Sequence, residues 1–203
     1  MTTLAKNKQK AASTNHSLHP HITARWSPRV FSGQEITEED IHHLLEAARW
    51  APSSRNEQPW RFIYAFRGSE AYDNIFQCLS EFNQQWVRNA PVLMLTAYKE
   101  QFDSGIDNFH ASHDLGLAVG IMSMQAQSMG IALHQMAGVN WREAQAIFEV
   151  PEGYHITTAI AVGYYGGDPD ELPENLRKSE LAERNRVPLA QFAVEGEWPE
   201  KSK

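Results

Sequence analysis

The sequence contains a single cysteine, Cys78, among its 203 residues. One cysteine cannot form an internal disulfide or supply a cysteine-based zinc cluster. The longest apolar run, around PVLMLTAY, is far shorter than the roughly 20 residues of a membrane-spanning helix. No segment has the charged, apolar and small-residue order of a secretion signal. We therefore expect a cytoplasmic protein without a membrane partner.

Positive charge is also scarce, since 18 Lys and Arg residues face 25 Asp and Glu residues and the formal net charge is -7. The chain therefore has no general basic field for nucleic acid or anionic lipid, and any anionic ligand must be bound locally. Because 42% of the residues are apolar, the chain can bury one substantial core. We predict a single domain over residues 22–203, which includes a polar C-terminal arm from about residue 167, preceded by a flexible tail over residues 1–21.

Three familiar motifs are missing: the phosphate loops GxxxxGK[ST] and GxGxxG, and the hydrolase elbow GxSxG. A phosphate would therefore have to be bound by side chains, and no residue is nominated as catalytic. The tail carries His16, His19 and His21, but no carboxylate or cysteine beside them completes a metal site. We interpret these histidines as solvated and predict no metal.

The elements mix helices and strands without the strict alternation of a doubly wound sheet, which predicts an α+β fold. Thr37 with Asp40, Ser69, and Asn140 with Glu143 have the pattern of helix caps. The segments WRFIYAF, VLMLTAY, ALHQMA and ITTAIAVGYY are typical of strands. Residues 108–129 are apolar almost all round, so this helix should cross the core or a subunit interface.

The connector APSSRNEQPWRF, residues 51–62, joins a helix to a strand and is rich in hydrogen-bonding groups. Its hydroxyls, amides and guanidinium can bracket a flat heterocycle with imide and hydroxyl groups. The alternative is an exposed turn whose serines bond to their own backbone. Two histidines further along, His110 and His113, share a helical face as interface or ligand-lining residues, and His134 is either a ligand contact or a hydrogen-bonded core residue.

Arginines alternate with other residues in RWSPRVFSG and again in ERNRVPL. In an extended chain Arg25, Ser27 and Arg29 point to the same side, which favours an anion site, as does the pair Arg184 and Arg186. Ion pairs with the many acidic residues are the structural alternative.

Five segments in this order resemble the FMN-dependent nitroreductase family: RWSPRVF, APSSRNEQPWRF, HDLGLAVGIMSMQAQSMGIALHQMAGVN, IAVGYYG, and ERNRVPL with EGEW. The resemblance covers about residues 22–198. It implies an α+β fold with a central mixed sheet flanked by helices, in an intertwined homodimer that exchanges C-terminal arms. It also implies two FMN molecules in the dimer interface, each contacted by both chains.

The resemblance further implies a role for each matching residue. Arg25, Trp26, Ser27 and Arg29 would approach the phosphate and ribityl end of FMN, with Arg184 and Arg186 completing the phosphate site. Pro52, Ser53, Ser54, Asn56 and Gln58 would reach the flavin from the partner chain. Asn83 would bond the polar edge of the flavin, and Ala137 and Gly138 would lie along its ring.

The implied activity is a ping-pong reaction in which NADH or NADPH reduces FMN, and FMN then reduces a nitroaromatic, quinone or related acceptor. The family often has an acidic residue where this sequence has Ala137, Gly138 and Val139, which leaves the proton source open. Two alternatives remain: a specialised flavin enzyme of the same superfamily, such as a reductive dehalogenase or a flavin-processing enzyme, and a flavin-holding protein without turnover.

Overall fold

The computed structural model describes residues 10–196, 198 and 199. Within these residues, seven α-helices and four strands follow one another in an α+β order. The helices are α1 (Pro20–Ala24), α2 (Glu38–Arg49), α3 (Glu70–Gln77), α4 (Glu81–Val87), α5 (Ala111–Ser128), α6 (Trp141–Ile147) and α7 (Glu174–Leu181). The strands are β1 (Trp60–Phe66), β2 (Val92–Lys99), β3 (Ile131–Met136) and β4 (Tyr154–Tyr164).

The four strands form one sheet in the order β1-β2-β4-β3, so β2 and β4 are central. All three pairings are antiparallel. Within the described residues the sheet is therefore antiparallel and not mixed as predicted. The addition of the C-terminal arm to the sheet of a partner subunit stays a prediction.

Both faces of this sheet are covered. Along β2, Leu93 and Leu95 face one apolar cluster, which α3 and α4 complete, whereas Val92 and Met94 face the other, which α2 and α5 complete. A strand buried on both faces has a continuous apolar sequence, which is why VLMLTAY shows no alternation.

One polar group lies inside this sheet. Thr96 of β2 is fully buried, and its hydroxyl oxygen lies 2.9 Å from Thr157 Oγ1 and 2.7 Å from Thr158 Oγ1 of β4. The pairing between β2 and β4 shifts register between Thr96 and Ala97. The hydroxyls are therefore satisfied by one another at the irregular point of the sheet.

Helix caps agree with the sequence. Thr37 and Asp40 form a full capping box at α2, and the side chains of Ser69 and Asn140 cap α3 and α6. The helix that Ser69 caps ends at Gln77, and Ser80 caps a separate helix, α4, which the sequence did not predict.

The chain ends lie against each other at one side of the fold. Residues 10–21 belong to the predicted flexible tail, yet Ala12 N donates to Thr23 O at 2.8 Å, and residues 1–9 lie outside the described part. In the arm, Leu176 of α7 is buried, whereas Leu189 and Phe192 beyond it are 52% and 57% exposed. The apolar end of the arm is thus more than half exposed to solvent among the described residues, and residues 197 and 200–203 lie outside the described part.

Among the described residues, none of the helices combines the length and the apolar character that crossing a bilayer requires.

Candidate functional site

The segment Arg25–Arg29 is held against the end of β4. Tyr165 stacks on Trp26, and its hydroxyl lies 3.0 Å from the Trp26 carbonyl oxygen. Further on, Ser32 N donates to Tyr164 O at 2.9 Å. This approach needs Gly163, because a Cβ there would lie 2.7 Å from the Phe31 ring. The segment is therefore fixed by the sheet before any ligand arrives.

The four predicted arginines meet in one cleft of about 220 Å³. Its lining comprises Lys10, Arg25, Trp26, Ser27, Arg29, Ser179, Glu180, Ala182, Glu183, Arg184 and Arg186. Five cationic side chains thus face two carboxylates in a chain whose net charge is -7. The convergence predicted from the alternating arginines is confirmed, and a compact anion is the ligand that such a cleft favours.

Glu180 of α7 binds the backbone of the arginine segment. Its carboxylate is 1% exposed and accepts from Arg29 N at 3.1 Å with each oxygen, while Arg29 Nη1 lies 3.7 Å away. Burial raises the pKa of Glu180, against the lowering effect of the Arg29 bond and charge. One guanidinium is thus paired, as the ion-pair alternative predicted, but Arg29 Nε is buried without a hydrogen-bond partner in the protein.

The other cations repel one another. Burial, followed by the charges of Arg25 and Arg186, lowers the pKa of Arg184. Burial also lowers the pKa of Lys10, which the nearby Glu180 raises in part. Like charges held this close are destabilising without a counter-charge, so a bound anion would stabilise the cleft.

A larger cavity of about 710 Å³ adjoins the cleft and shares three of its arginines, Arg25, Arg184 and Arg186. The N-terminal residues 12–16 form one wall, and the arm residues 187–189 with Phe192 form the other. It is open space beside the exposed apolar part of the arm.

His134 of β3 contacts both the arginine segment and α4. Its Nδ1 lies 2.9 Å from Pro28 O, and its ring lies 4.5 Å from the ring of Trp86 in α4. Burial lowers the pKa of His134 to about 4, with Arg29 and Arg25 adding to that effect. The imidazole is therefore neutral at pH 7, and since Pro28 O can only accept, Nδ1 carries the proton.

A second group of predicted site residues lies just after the C-terminal end of β3. Asn83 of α4 is buried and donates from Nδ2 to Gly138 O at 3.3 Å, while Ser80 N donates to the same oxygen at 2.9 Å. A Cβ at Gly138 would lie 2.5 Å from Ser80 Oγ, so only glycine fits. Ala137 is exposed beside it. The structure therefore brings together Asn83, Ala137 and Gly138, as the resemblance implies.

The connector has an unusual backbone. Arg55, Asn56 and Gln58 have φ of 53°, 57° and 49°, a left-handed region that residues with a Cβ rarely adopt. Such strain costs on the order of 1–3 kcal/mol per residue and persists only where the surroundings impose it. Here Ser53 Oγ accepts from Gln58 N at 3.0 Å, so the serine does bond to its own backbone, as the turn alternative predicted.

An acidic residue of α5 also holds the connector. Asp114 is 3% exposed, and its Oδ2 accepts from Ser54 N at 2.9 Å, while His113 Nδ1 lies 3.3 Å from Oδ1. Asn56 and Gln58 are exposed on the outer side of the same loop. Among the described residues that line the arginine cleft, none comes from the connector.

Lys10, Glu180 and Asp114 were missed from the sequence. Lys10 and Glu180 reach the cleft from segments about 150 residues or more from their partners in it, Arg184 and Arg29. No local pattern in the sequence indicates Lys10 or Glu180. Asp114 could have been found, because it is an acidic residue at the start of a long apolar helix.

The model of the nitroreductase family matches residues 22–82 and 69–164. The chain belongs to the nitroreductase family. A solved structure described as an oxidoreductase containing FMN is 34% identical, with a TM-score of 0.86, over 94% of this chain and 97% of that one. A Ralstonia nicotianae protein provisionally named NADH dehydrogenase/NAD(P)H nitroreductase is 25% identical over 73% of this chain and 85% of its own length.

The iodotyrosine deiodinase of Thermotoga neapolitana is also similar, with 23% identity over 74% of this chain and 90% of its own length. These findings confirm the predicted family, its enzyme class and the α+β fold with helices on both sides of the sheet. The nitroreductase match ends at residue 164, so Arg184 and Arg186 lie beyond it, and it begins at residue 22, so Lys10 precedes it.

Proposed function

We propose that this nitroreductase is an FMN-dependent oxidoreductase that uses NADH or NADPH to reduce nitroaromatic, quinone or related acceptors in a ping-pong reaction. The observation that carries the proposal is the arginine cleft. His134 bonds to Pro28 O within the arginine segment and its ring lies 4.5 Å from Trp86 of α4, the helix that also carries Asn83 beside Gly138. A ligand with a phosphate at one end and a polar flat ring at the other suits this arrangement.

The cleft fits the phosphate of FMN. Its cations outnumber its carboxylates, and Arg29 Nε is a buried donor that still lacks an acceptor. A phosphate offers several strong acceptors to guanidinium groups and removes the repulsion among them. We assign Arg25, Ser27, Arg29, Arg184 and Arg186 to this group, with Trp26 forming a wall beside them.

The part of the site that would bind the flavin ring has fewer polar groups than the arginine cleft. Asn83 presents an amide beside Gly138, and the exposed Ala137 lies next to both. We propose that Asn83 bonds the polar edge of the ring and that a backbone amide of Ala137 or Gly138 donates to its reactive nitrogen. Glycine at position 138 lets this backbone lie against Ser80 and Asn83, which fixes its position beside the proposed ring.

We propose that the connector serves the flavin of the partner subunit in a homodimer. Pro52, Asn56 and Gln58 are exposed on the single chain, whereas Ser53 and Ser54 are partly buried. The arm residues beyond α7 likewise leave apolar side chains uncovered, as an arm exchanged between subunits would. Ile121 on the outer face of α5 is 37% exposed, in keeping with a subunit interface there.

FMN, when bound, would accept two electrons from the nicotinamide and pass them to the second substrate. The chain contributes position and charge: the arginines hold the phosphate, and Asn83 with Gly138 orients the ring. No side chain is assigned as acid or base, because positions 137–139 are Ala, Gly and Val and His134 is neutral and bonded to Pro28. The proton that each half-reaction requires would then come from water or from the substrate.

The first test is the visible absorption spectrum of the purified protein before and after anaerobic addition of NADH or NADPH. We expect a flavin spectrum that bleaches rapidly, and a flavin-holding protein without turnover would bleach only slowly. Arg25→Glu should abolish FMN retention, whereas Arg142→Glu, an exposed cation on α6, should not. A protein that neither contains nor takes up FMN contradicts the proposal.

The contribution of the partner subunit can be tested by mixing variants. Arg25→Glu damages the cleft, and Ser54→Ala with Asn56→Ala damages the connector. If the connector acts on the partner's flavin, a mixed dimer of the two variants has one intact site and should retain about half the FMN of the wild-type dimer. If the connector acts within its own chain, every chain is damaged and mixing restores nothing.

A reductive dehalogenase is the second candidate, because an iodotyrosine deiodinase is among the similar proteins. The segment FDSGIDNFHASH, residues 102–113, is where a substrate-specific cover would lie, and Phe109 is 90% exposed there. Iodide release from iodotyrosine, compared with reduction of a quinone under the same conditions, separates the two activities. The cytoplasmic location expected from the sequence stays a prediction.

A further inference from the structure

Lys10 lines the arginine cleft although it precedes the region that the family model matches. The polar composition of residues 1–21 predicted a tail without contacts. From Lys10 onward, however, this segment has defined contacts and lies beside the four arginines of the cleft.

Hydrogen bonds fix the backbone of this segment. Arg184 Nη1 donates to Lys10 O at 2.6 Å and to Thr23 O at 2.7 Å. Ala12 N also donates to Thr23 O, at 2.8 Å. One arginine of the cleft thus joins residue 10 to the end of α1, and this places the Lys10 side chain at the cleft.

The ammonium group is held at the rim. Lys10 Nζ donates to Ala182 O at 2.9 Å and lies 4.7 Å from the centre of the Trp26 ring. Its charge is felt by Glu180 and by the guanidinium groups of Arg29 and Arg184. Since an ammonium has three donors, an anion in the cleft can take a bond beside the one to Ala182.

We infer that Lys10 is a fifth cationic ligand of the cofactor phosphate, so that the segment before the family domain is part of the flavin site. The inference rests on the proposed function, since it takes the anion to be the phosphate of FMN. The position suits it, because Glu180 already neutralises Arg29 in part and a further cation at the rim restores the excess of positive charge.

The test compares the Kd of the flavin-free protein for FMN and for riboflavin, which lacks the phosphate, by flavin fluorescence. Lys10→Met should weaken FMN binding about tenfold, the lower end of the range for hydrogen bonds to charged groups, and leave riboflavin binding unchanged. Lys10→Arg should restore most of the affinity for FMN. Lys178→Met, which removes a lysine paired with Glu174 on α7, is the matched control and should change neither Kd.

Each outcome is decisive. If Lys10→Met weakens both ligands equally, Lys10 maintains the fold and the inference is overturned, as it is if neither Kd changes. If the wild-type protein binds no FMN at all, the proposed function fails by itself. A wild-type protein that binds FMN tightly together with an unchanged Lys10→Met variant would leave the proposed function intact and remove Lys10 from it.

Discussion

The stability of the flavin-free protein should depend on pH through His134. Burial lowers the pKa of His134 to about 4 from an ordinary value of 6.5, so folding favours the neutral ring. The resulting stabilisation is fully present above pH 6.5 and is lost as the pH falls towards 4. At about 1.4 kcal/mol per pKa unit the full effect is about 3 kcal/mol, and between pH 8 and pH 5 it is about 2 kcal/mol.

Because the ring keeps some contact with solvent, about 2 kcal/mol is an upper figure for this interval. The assay is urea unfolding followed by tryptophan fluorescence at pH 8 and pH 5. His134→Asn keeps a donor near Pro28 O but cannot take up a proton, so its stability should fall less than that of the wild type. His43→Asn on the exposed face of α2 should behave as the wild type does. The same fall in the wild type and in His134→Asn would refute the reasoning.

Three further outcomes are expected. Gly138→Ala places a Cβ 2.5 Å from Ser80 Oγ, so it should lower the free energy of unfolding by about 1–3 kcal/mol and weaken flavin binding. Gly33→Ala is the control, because a Cβ there meets open space. Equal unfolding curves for the two variants would contradict this prediction. Asp114→Asn weakens the bond to the connector by about 1–2 kcal/mol, which faster amide exchange at residue 54 would report. Burial raises the pKa of Cys78 to about 11, so iodoacetamide should label it at neutral pH only after unfolding, and rapid labelling of the native protein would argue against that burial.

The sequence predicted the elements well where local chemistry decides them. The strand Trp60–Phe66 and the caps at Thr37 and Ser69 were recognisable because side-chain type and position determine them. The break between α3 and α4 was not, since the apolar spacing of the two helices continues through it. There the backbone of residues 78–80 bonds to residues 138–140, a distant segment.

The candidate site was predictable in part for a similar reason. Arg25, Ser27 and Arg29 lie close in sequence, so their alternation alone indicated convergence. The left-handed backbone of the connector was not foreseeable, because residues with a Cβ disfavour it and only the contacts around them impose it. Lys10 and Glu180 depend on how the two ends of the chain meet, which no local pattern reports.

The buried hydroxyl of Thr96 has a consequence for how the chain finds its fold. Because β2 is apolar on both faces, hydrophobic contacts alone do not distinguish the correct alignment with β4 from one displaced by a residue. The native alignment brings the hydroxyls of Thr96, Thr157 and Thr158 together, and an alignment that separates them leaves the fully buried Thr96 hydroxyl without these partners. Misaligned sheets should therefore be short-lived during folding. Replacing Thr96 with valine removes this penalty and should lengthen the lifetime of misaligned intermediates.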